Sequence, residues 1–142
     1  MAREEDLVRA ARAARRRAYA PYSGFRVGAA VRARGRTFAA ANVENASYGL
    51  TVCAERNAVA AAVLAGARRL EAVAVASGTQ PPAPPCGACL QALAEFAGPG
   101  LPVALAGAGG RVVETTLGEL LPRAFGKHLG PAKQARGLSG GK

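Results

Sequence analysis

Apolar residues recur along the chain at helical spacing in three long segments and one short one. The first predicted helix covers residues 2–18 and carries four apolar positions at this spacing: Leu7, Val8, Ala11 and Ala14. A second helix is predicted to open near Cys53 and to end at Gly66. A third begins about Cys86, directly after two prolines, and runs to Gly98. The segment "TLGELLPRAFGKH" predicts a short last helix and a turn.

Strands are predicted between these helices from runs of small apolar residues. The segment "VGAAVRARGRTFAAANV" predicts two strands around a turn, and "EAVAVAS", "LPVALAG" and "RVVETT" predict one strand each. This order predicts an α/β fold, a three-layer α/β/α sandwich with a mixed sheet of about five strands. We expect one domain over residues 1–126 and a flexible, basic, Gly/Pro-rich tail over residues 127–142.

The composition fits a single compact domain. A chain of 142 residues buries a sizeable core, and 50% of this chain is hydrophobic although only 5% is aromatic. No apolar run is long enough to span a bilayer, and the N-terminal segment "MAREEDLVRAARAARRR" lacks the apolar block of a signal peptide. The sequence therefore predicts a cytoplasmic protein with no membrane partner.

A net charge of +10 raises the question of a nucleic-acid partner. The basic run at residues 12–17 belongs to a helix that begins with acidic residues, and the basic tail is mixed with Gly, Pro and Ser. Neither region interleaves aromatic residues for base stacking. We therefore interpret the charge as a solvated basic surface and do not expect nucleic acid as a partner.

The three cysteines, Cys53, Cys86 and Cys89, all lie at predicted helix starts. In α/β folds neighbouring loops bring helix N-termini close together, and residues three apart share one helix face. Three thiolates that meet at one point suit a catalytic zinc ion, whose fourth position is left for water. A lone C-x-x-C is also found as a redox pair or as half of a zinc knuckle.

Two neighbours of Cys53 fit a catalytic interpretation. Three thiolates leave a zinc site with net negative charge, which makes bound water a poor acid. The dipoles of two helix N-termini and the guanidinium of Arg56 would offset this charge. Glu55 would then take a proton from the water and return it to the substrate.

The motifs "CAERNA" and "PCGAC", whose first cysteines are 86 − 53 = 33 positions apart, resemble those of zinc-dependent cytidine deaminases of the small homotetrameric type. The segments "AYAPYSGFRVGAA", "NVENASYG" and "ELLPRAF" are also similar to this family. The resemblance extends roughly over residues 5 to 126 and is specific in combination.

The resemblance implies one Zn²⁺ per subunit held by Cys53, Cys86 and Cys89, with Glu55 as the proton shuttle. It implies hydrolytic deamination of cytidine and deoxycytidine to uridine and deoxyuridine in pyrimidine salvage, with release of ammonia. Five positions would contact the nucleoside: Phe25, Asn42, Glu44, Ala54 and Phe125. Phe125 and Tyr48 would also reach a neighbouring subunit's site, so a homotetramer would complete the pocket.

One position departs from the family pattern, because Leu90 stands where an Arg commonly follows the last cysteine. The resemblance also leaves alternatives open. A deaminase of another cytosine-bearing compound such as blasticidin would share the zinc site, and Asn42 and Glu44 favour a free ribose instead. Polynucleotide deaminases usually have His at the position of Cys53, and a zinc-binding interaction module without chemistry would not need Glu55.

Overall fold

A computed structural model describes residues 2–126 of the chain. Within these residues, four α-helices and five β-strands follow one another in the order α1, β1, β2, α2, β3, α3, β4, β5, α4. The helices are α1 Ala2–Arg15, α2 Ala54–Leu64, α3 Gly87–Glu95 and α4 Leu117–Leu120. The strands are β1 Gly28–Ala33, β2 Arg36–Ala41, β3 Ala72–Ala76, β4 Pro102–Ala106 and β5 Val112–Thr116. None of these helices is long and apolar enough to cross a membrane.

The strands form one mixed sheet in the order β2-β1-β3-β4-β5. Only β3 and β4 pair in parallel, and α3 makes the crossover between them; the other three neighbouring pairs are antiparallel. The predicted five-stranded mixed sheet is therefore confirmed.

The two faces of the sheet are covered by different helices because side chains alternate along each strand. The buried hydrophobic residues that the three central strands place under α1 are all alanines: Ala30, Ala74, Ala76, Ala104 and Ala106. The opposite face carries Val and Leu, among them Val73 and Leu105, which pack against α2, α3 and α4. One helix above the sheet and three below it make the predicted three-layer sandwich.

The first helix is shorter than the predicted 2–18. It ends at Arg15, and the next residues form tighter turns in which Arg17 N–H bonds to the Ala14 carbonyl at 2.9 Å. Tyr19 then pairs with Val43 as an isolated bridge. Because that pairing needs an extended backbone, the helix has to stop before it.

Helices α2 and α3 begin one residue after Cys53 and Cys86, respectively. Cys53 and Cys86 occupy the N-cap positions of α2 and α3 with extended backbone, and Cys89 lies in the first turn of α3. Both helices pack on the same face of the sheet, so their N-termini can lie side by side. The predicted short helix near the C-terminal end is α4, and the predicted tail lies outside the described residues.

Candidate functional site

The sulfur atoms of Cys53, Cys86 and Cys89 all lie within 4.8 Å of one another. The sulfur atoms of Cys86 and Cys89 are 3.6 Å apart. Cys89 is fully buried, Cys53 is half-buried and Cys86 is exposed. The cluster therefore has a closed inner side and one side open to solvent, and the predicted convergence of the three thiols is confirmed.

This donor set fits a zinc ion. Ligands that hold zinc tetrahedrally at about 2.3 Å lie about 3.8 Å apart, close to the spacing of the two α3 cysteines. Among residues 2–126, this cluster has three members and no fourth His, Cys, Asp or Glu. Three protein ligands and an open side are the arrangement of a catalytic zinc site, whereas structural sites have four ligands.

The pKa values of the two α3 thiols are shifted in opposite directions. Burial raises the pKa of the Cys89 thiol, and the negative charge of Glu55 raises it further. Burial alone would also raise the pKa of the Cys86 thiol, but hydrogen bonds with Cys89 and with the Ala88 amide lower it below its ordinary value.

Glu55 is a buried carboxylate on the first turn of α2, with 5% of its surface exposed. Burial raises its pKa, while its own backbone amide, the charge of Arg56 and a hydrogen bond with Cys89 oppose that rise. The contact with Cys89 places the carboxylate beside the sulfur cluster. A buried carboxyl group with a raised pKa beside a metal site is suited to exchange a proton with a bound substrate.

Arg56 connects the cluster to the segment before α2. Its Nη2 lies 3.7 Å from the Cys53 sulfur and donates to the Thr51 carbonyl at 3.2 Å. The hydrogen bond with Cys53 raises the pKa of this guanidinium. Leu90, at the position where the family commonly has Arg, is buried in the core below the sheet. The positive charge beside the thiols therefore comes from Arg56.

Asn42 and Glu44 hold the loop between α1 and β1. The Asn42 amide donates to the Phe25 carbonyl and accepts from the Val27 amide, both at 2.9 Å. Glu44 accepts from the Tyr22 amide at 2.9 Å, the Ser23 amide at 3.1 Å and the Ser23 hydroxyl. The Ser23 hydroxyl, followed by these amides, lowers the pKa of Glu44. Both side chains thus have a structural task that sequence reasoning did not foresee.

The aromatic residues singled out in the sequence are exposed. Phe25 has 45% of its surface accessible, Tyr48 has 74% and Phe125 has 64%. The rings of Tyr22 and Tyr48 meet edge-to-face at 5.9 Å, so the loop before β1 contacts the segment before α2. The carbonyl of Phe125 accepts from Gln91 of α3 at 3.1 Å, which ties the end of the domain to the helix of Cys89.

Two residues that support the site, Ser23 and Asn57, are not predicted from the sequence. Ser23 supports Glu44, and its place in a Pro-x-Ser-Gly turn is a signal that could have pointed to it. Asn57 donates from α2 to the Ala41 carbonyl at the end of β2, 3.0 Å away. This hydrogen bond joins the start of α2, which carries Glu55, to the end of β2, which leads into Asn42. The spacing of residues in the sequence does not predict it.

An α/β/α sandwich with three thiols at two helix starts and a buried glutamate beside them defines a class of zinc-dependent hydrolases. The family model for the "cytidine and deoxycytidylate deaminase zinc-binding region" matches residues 1–104. The chain belongs to this deaminase family, and zinc is its cofactor.

Known relatives agree over most of the chain. A cytidine deaminase of Sporosarcina psychrophila is 46% identical over 124 residues, which are 87% of this chain and 91% of the relative. The crystal structure of a cytidine deaminase from Burkholderia pseudomallei is 50% identical, with a TM-score of 0.82 over 85% of this chain and 98% of that one. That from Mycobacterium tuberculosis is 43% identical, with a TM-score of 0.76 over 87% and 97%. The resemblance seen in the sequence is confirmed.

Proposed function

We propose that the chain catalyses the hydrolytic deamination of the free nucleosides cytidine and deoxycytidine, giving uridine and deoxyuridine with release of ammonia. The observation that carries this proposal is the cluster of three thiols with the buried carboxylate of Glu55 against it. Such a reaction serves pyrimidine salvage.

Cys53, Cys86 and Cys89 would hold one Zn²⁺ per subunit. When bound, zinc lowers the pKa of water and so supplies a nucleophile near neutral pH. The N-termini of α2 and α3 direct their positive dipole ends at the thiolates, and Arg56 adds a full positive charge at Cys53. Together they offset the excess negative charge of three thiolates.

Glu55 would act as the proton shuttle. It takes a proton from the attacking water and delivers it to the ring nitrogen next to the amine-bearing carbon of the pyrimidine. A second proton passes through the same carboxylate to the leaving amine, and ammonia departs as the carbonyl of the product forms. Its burial keeps bulk water away from these transfers.

Asn42 and Glu44 would bind the sugar hydroxyls with the hydrogen-bond donor and acceptor that their contacts in the loop do not use. An amide nitrogen has two N–H donors, and Asn42 uses one on Phe25. A carboxylate has about four acceptor sites, and Glu44 uses three on the Tyr22–Ser23 turn. One remaining donor and one remaining acceptor suit a pair of neighbouring hydroxyls. Phe25 would pack near the pyrimidine ring, and the backbone of Ala54 would contact it at the start of α2.

We propose a homotetramer in which Phe125 and Tyr48 contribute to a neighbouring subunit's site. The exposure of both rings supports this arrangement, because aromatic side chains are enriched at protein–protein interfaces. The cytoplasmic location, the single domain over residues 1–126 and the flexible tail over residues 127–142 stay predictions, as does the absence of a nucleic-acid partner.

The proposal is tested by offering cytidine, deoxycytidine, blasticidin and a cytosine-containing oligonucleotide to the purified chain. Ammonia release and the ultraviolet change should appear with the first two compounds only, should be lost after zinc is removed with a chelator, and should return with added Zn²⁺. Turnover of blasticidin alone would assign the rival substrate, and turnover of the oligonucleotide would assign a polynucleotide deaminase. Deamination that persists in metal-free protein would contradict the proposal.

A further inference from the structure

The segment of residues 78–85, within the connection between β3 and α3, leads directly into Cys86. Four of its eight residues are proline, and proline has no backbone N–H to donate. A segment of this kind is poorly able to anchor itself through backbone hydrogen bonds. Its position therefore depends on the few polar groups that it does carry.

Two hydroxyl groups at the start of this connection form a chain of hydrogen bonds. Ser77 directly follows β3 and is buried, with 3% of its surface exposed. The Thr79 hydroxyl donates to the Pro81 carbonyl at 2.8 Å, so its own proton is used. The Ser77 hydroxyl, 3.0 Å from that of Thr79, must then donate to it and accept from the Ala83 amide at 3.3 Å. One direction of donation thus satisfies every member of the chain.

The same segment is fastened to the end of β4. The Thr79 carbonyl accepts from the Ala108 amide at 2.9 Å, and the Ser77 amide donates to the Ala106 carbonyl at 2.9 Å. Gly107 permits this approach, since a side chain there would come within 2.6 Å of the Thr79 carbonyl oxygen. The hydroxyl chain therefore joins a fixed point on the sheet to Ala83, three residues before Cys86.

We propose that Ser77 and Thr79 are positioning residues for Cys86, the exposed thiol of the cluster, and that they set how long zinc is retained. The inference rests on the proposed function, in which Cys86 is a ligand. Groups that orient metal ligands from outside typically change metal affinity 10–100-fold when removed, on an order-of-magnitude scale. We expect loss of these hydrogen bonds to affect the rate of zinc release more strongly than the stability of the fold.

The test measures how fast zinc passes from the loaded enzyme to a coloured chelator in excess. Thr79→Val removes the hydroxyl at nearly constant volume, and we expect zinc release to be about 10-fold faster or more. Thr79→Ser restores the hydroxyl and should return the rate to that of the unchanged protein. Thr37→Val, a matched change on the edge strand β2, should leave the rate unchanged.

A second readout separates positioning from general stabilisation. We expect the rise in melting temperature on adding Zn²⁺ to be smaller in Thr79→Val than in Thr79→Ser. If the hydroxyl had a purely structural role, Thr79→Val would lower the melting temperatures of the metal-free and zinc-loaded forms equally. Ser77→Ala removes the other hydroxyl of this chain of hydrogen bonds. It should give the same faster zinc release and the same smaller rise in melting temperature. Unchanged zinc release in Thr79→Val and Ser77→Ala would overturn the inference. If the unchanged protein binds no zinc, the proposed function fails instead.

Discussion

At the scale of single residues, the proposed proton shuttle Glu55 allows chemistry to be tested separately from metal binding. Glu55→Gln keeps the shape of the side chain and leaves all three thiols in place, but it cannot take up a proton. We expect zinc content and melting temperature to stay close to normal while kcat for cytidine falls by about 10²–10⁴-fold. Metal analysis together with steady-state kinetics checks this.

The matched control for this prediction is Glu95→Gln, which makes the same chemical change on an exposed residue at the end of α3. It should leave the kinetics unchanged. A Glu55→Gln protein that still deaminates cytidine at a substantial rate would remove Glu55 from the mechanism and favour a site without this shuttle.

The residues that we propose to bind the substrate have a second role in the structure. Asn42 and Glu44 hold the loop of Phe25 and Ser23, and their remaining hydrogen-bonding groups are those proposed to meet the sugar. Substitution of either residue therefore changes the shape of the pocket as well as its contacts. Effects on binding at these positions should not be assigned to the sugar contacts alone.

At the scale of elements, the close packing of α1 on the sheet depends on Gly28. A side-chain carbon at this position would lie 2.0 Å from the Ala11 carbonyl oxygen, which is far too near for two nonbonded heavy atoms. We expect Gly28→Ala to push α1 from the sheet and to cost about 1–3 kcal/mol, measured by chemical denaturation. Gly98→Ala, where nothing lies within 4 Å, is the control and should change the stability far less.

A second element-scale prediction concerns the contact between α1 and β5. Burial, followed by the charge of Glu114 and a hydrogen bond with it, raises the pKa of Glu4 above the ordinary 4.5. A carboxyl whose pKa is raised in the folded state binds more protons there than in the unfolded state. Its contribution to stability is therefore present at low pH and is lost as the pH rises through the folded pKa.

Glu4→Gln removes this loss, so the variant should melt at a higher temperature at pH 7 than Glu5→Gln does. Both variants change the net charge and the first helix turn in the same way, but Glu5 is only a minor neighbour of Glu4. The difference between them should shrink as the pH is lowered to about 4, near the ordinary pKa of a glutamate. A constant difference over this pH range would show that the contact with Glu114 is not its cause.

At the scale of the whole molecule, the proposed sharing of Phe125 between subunits predicts complementation. Glu55→Gln and Phe125→Ala should each be poorly active alone. Subunits of both kinds, mixed and reassembled, should regain activity at about a quarter of the sites, where an intact Glu55 meets an intact Phe125 from the neighbour. Initial rates before and after mixing measure this.

Mixtures in which each variant is reassembled with itself are the control and should regain nothing. No recovery in the mixed sample, with tetramers verified by sedimentation, would place Phe125 in the site of its own subunit. A monomer in sedimentation would contradict the shared pocket altogether.

Much of the fold and of the site could be predicted because both depend on local patterns. Alternating small apolar residues mark β3 and β4, and the three cysteines with Glu55 stand at the helix starts where a metal site needs them. The end of α1 was placed three residues too late, because the pairing of Tyr19 with Val43 is a contact over long sequence distance.

The sequence by itself determined the elements, their order and the chemistry available to them, since these follow from side-chain type and spacing. The tertiary structure alone decided which groups meet: that Asn42 and Glu44 hold the Phe25 loop, that Leu90 enters the core, and that Ser77 and Thr79 anchor the approach to Cys86. Such contacts join residues from different elements or depend on the path of an irregular loop. They arise from packing in three dimensions, which no local period encodes.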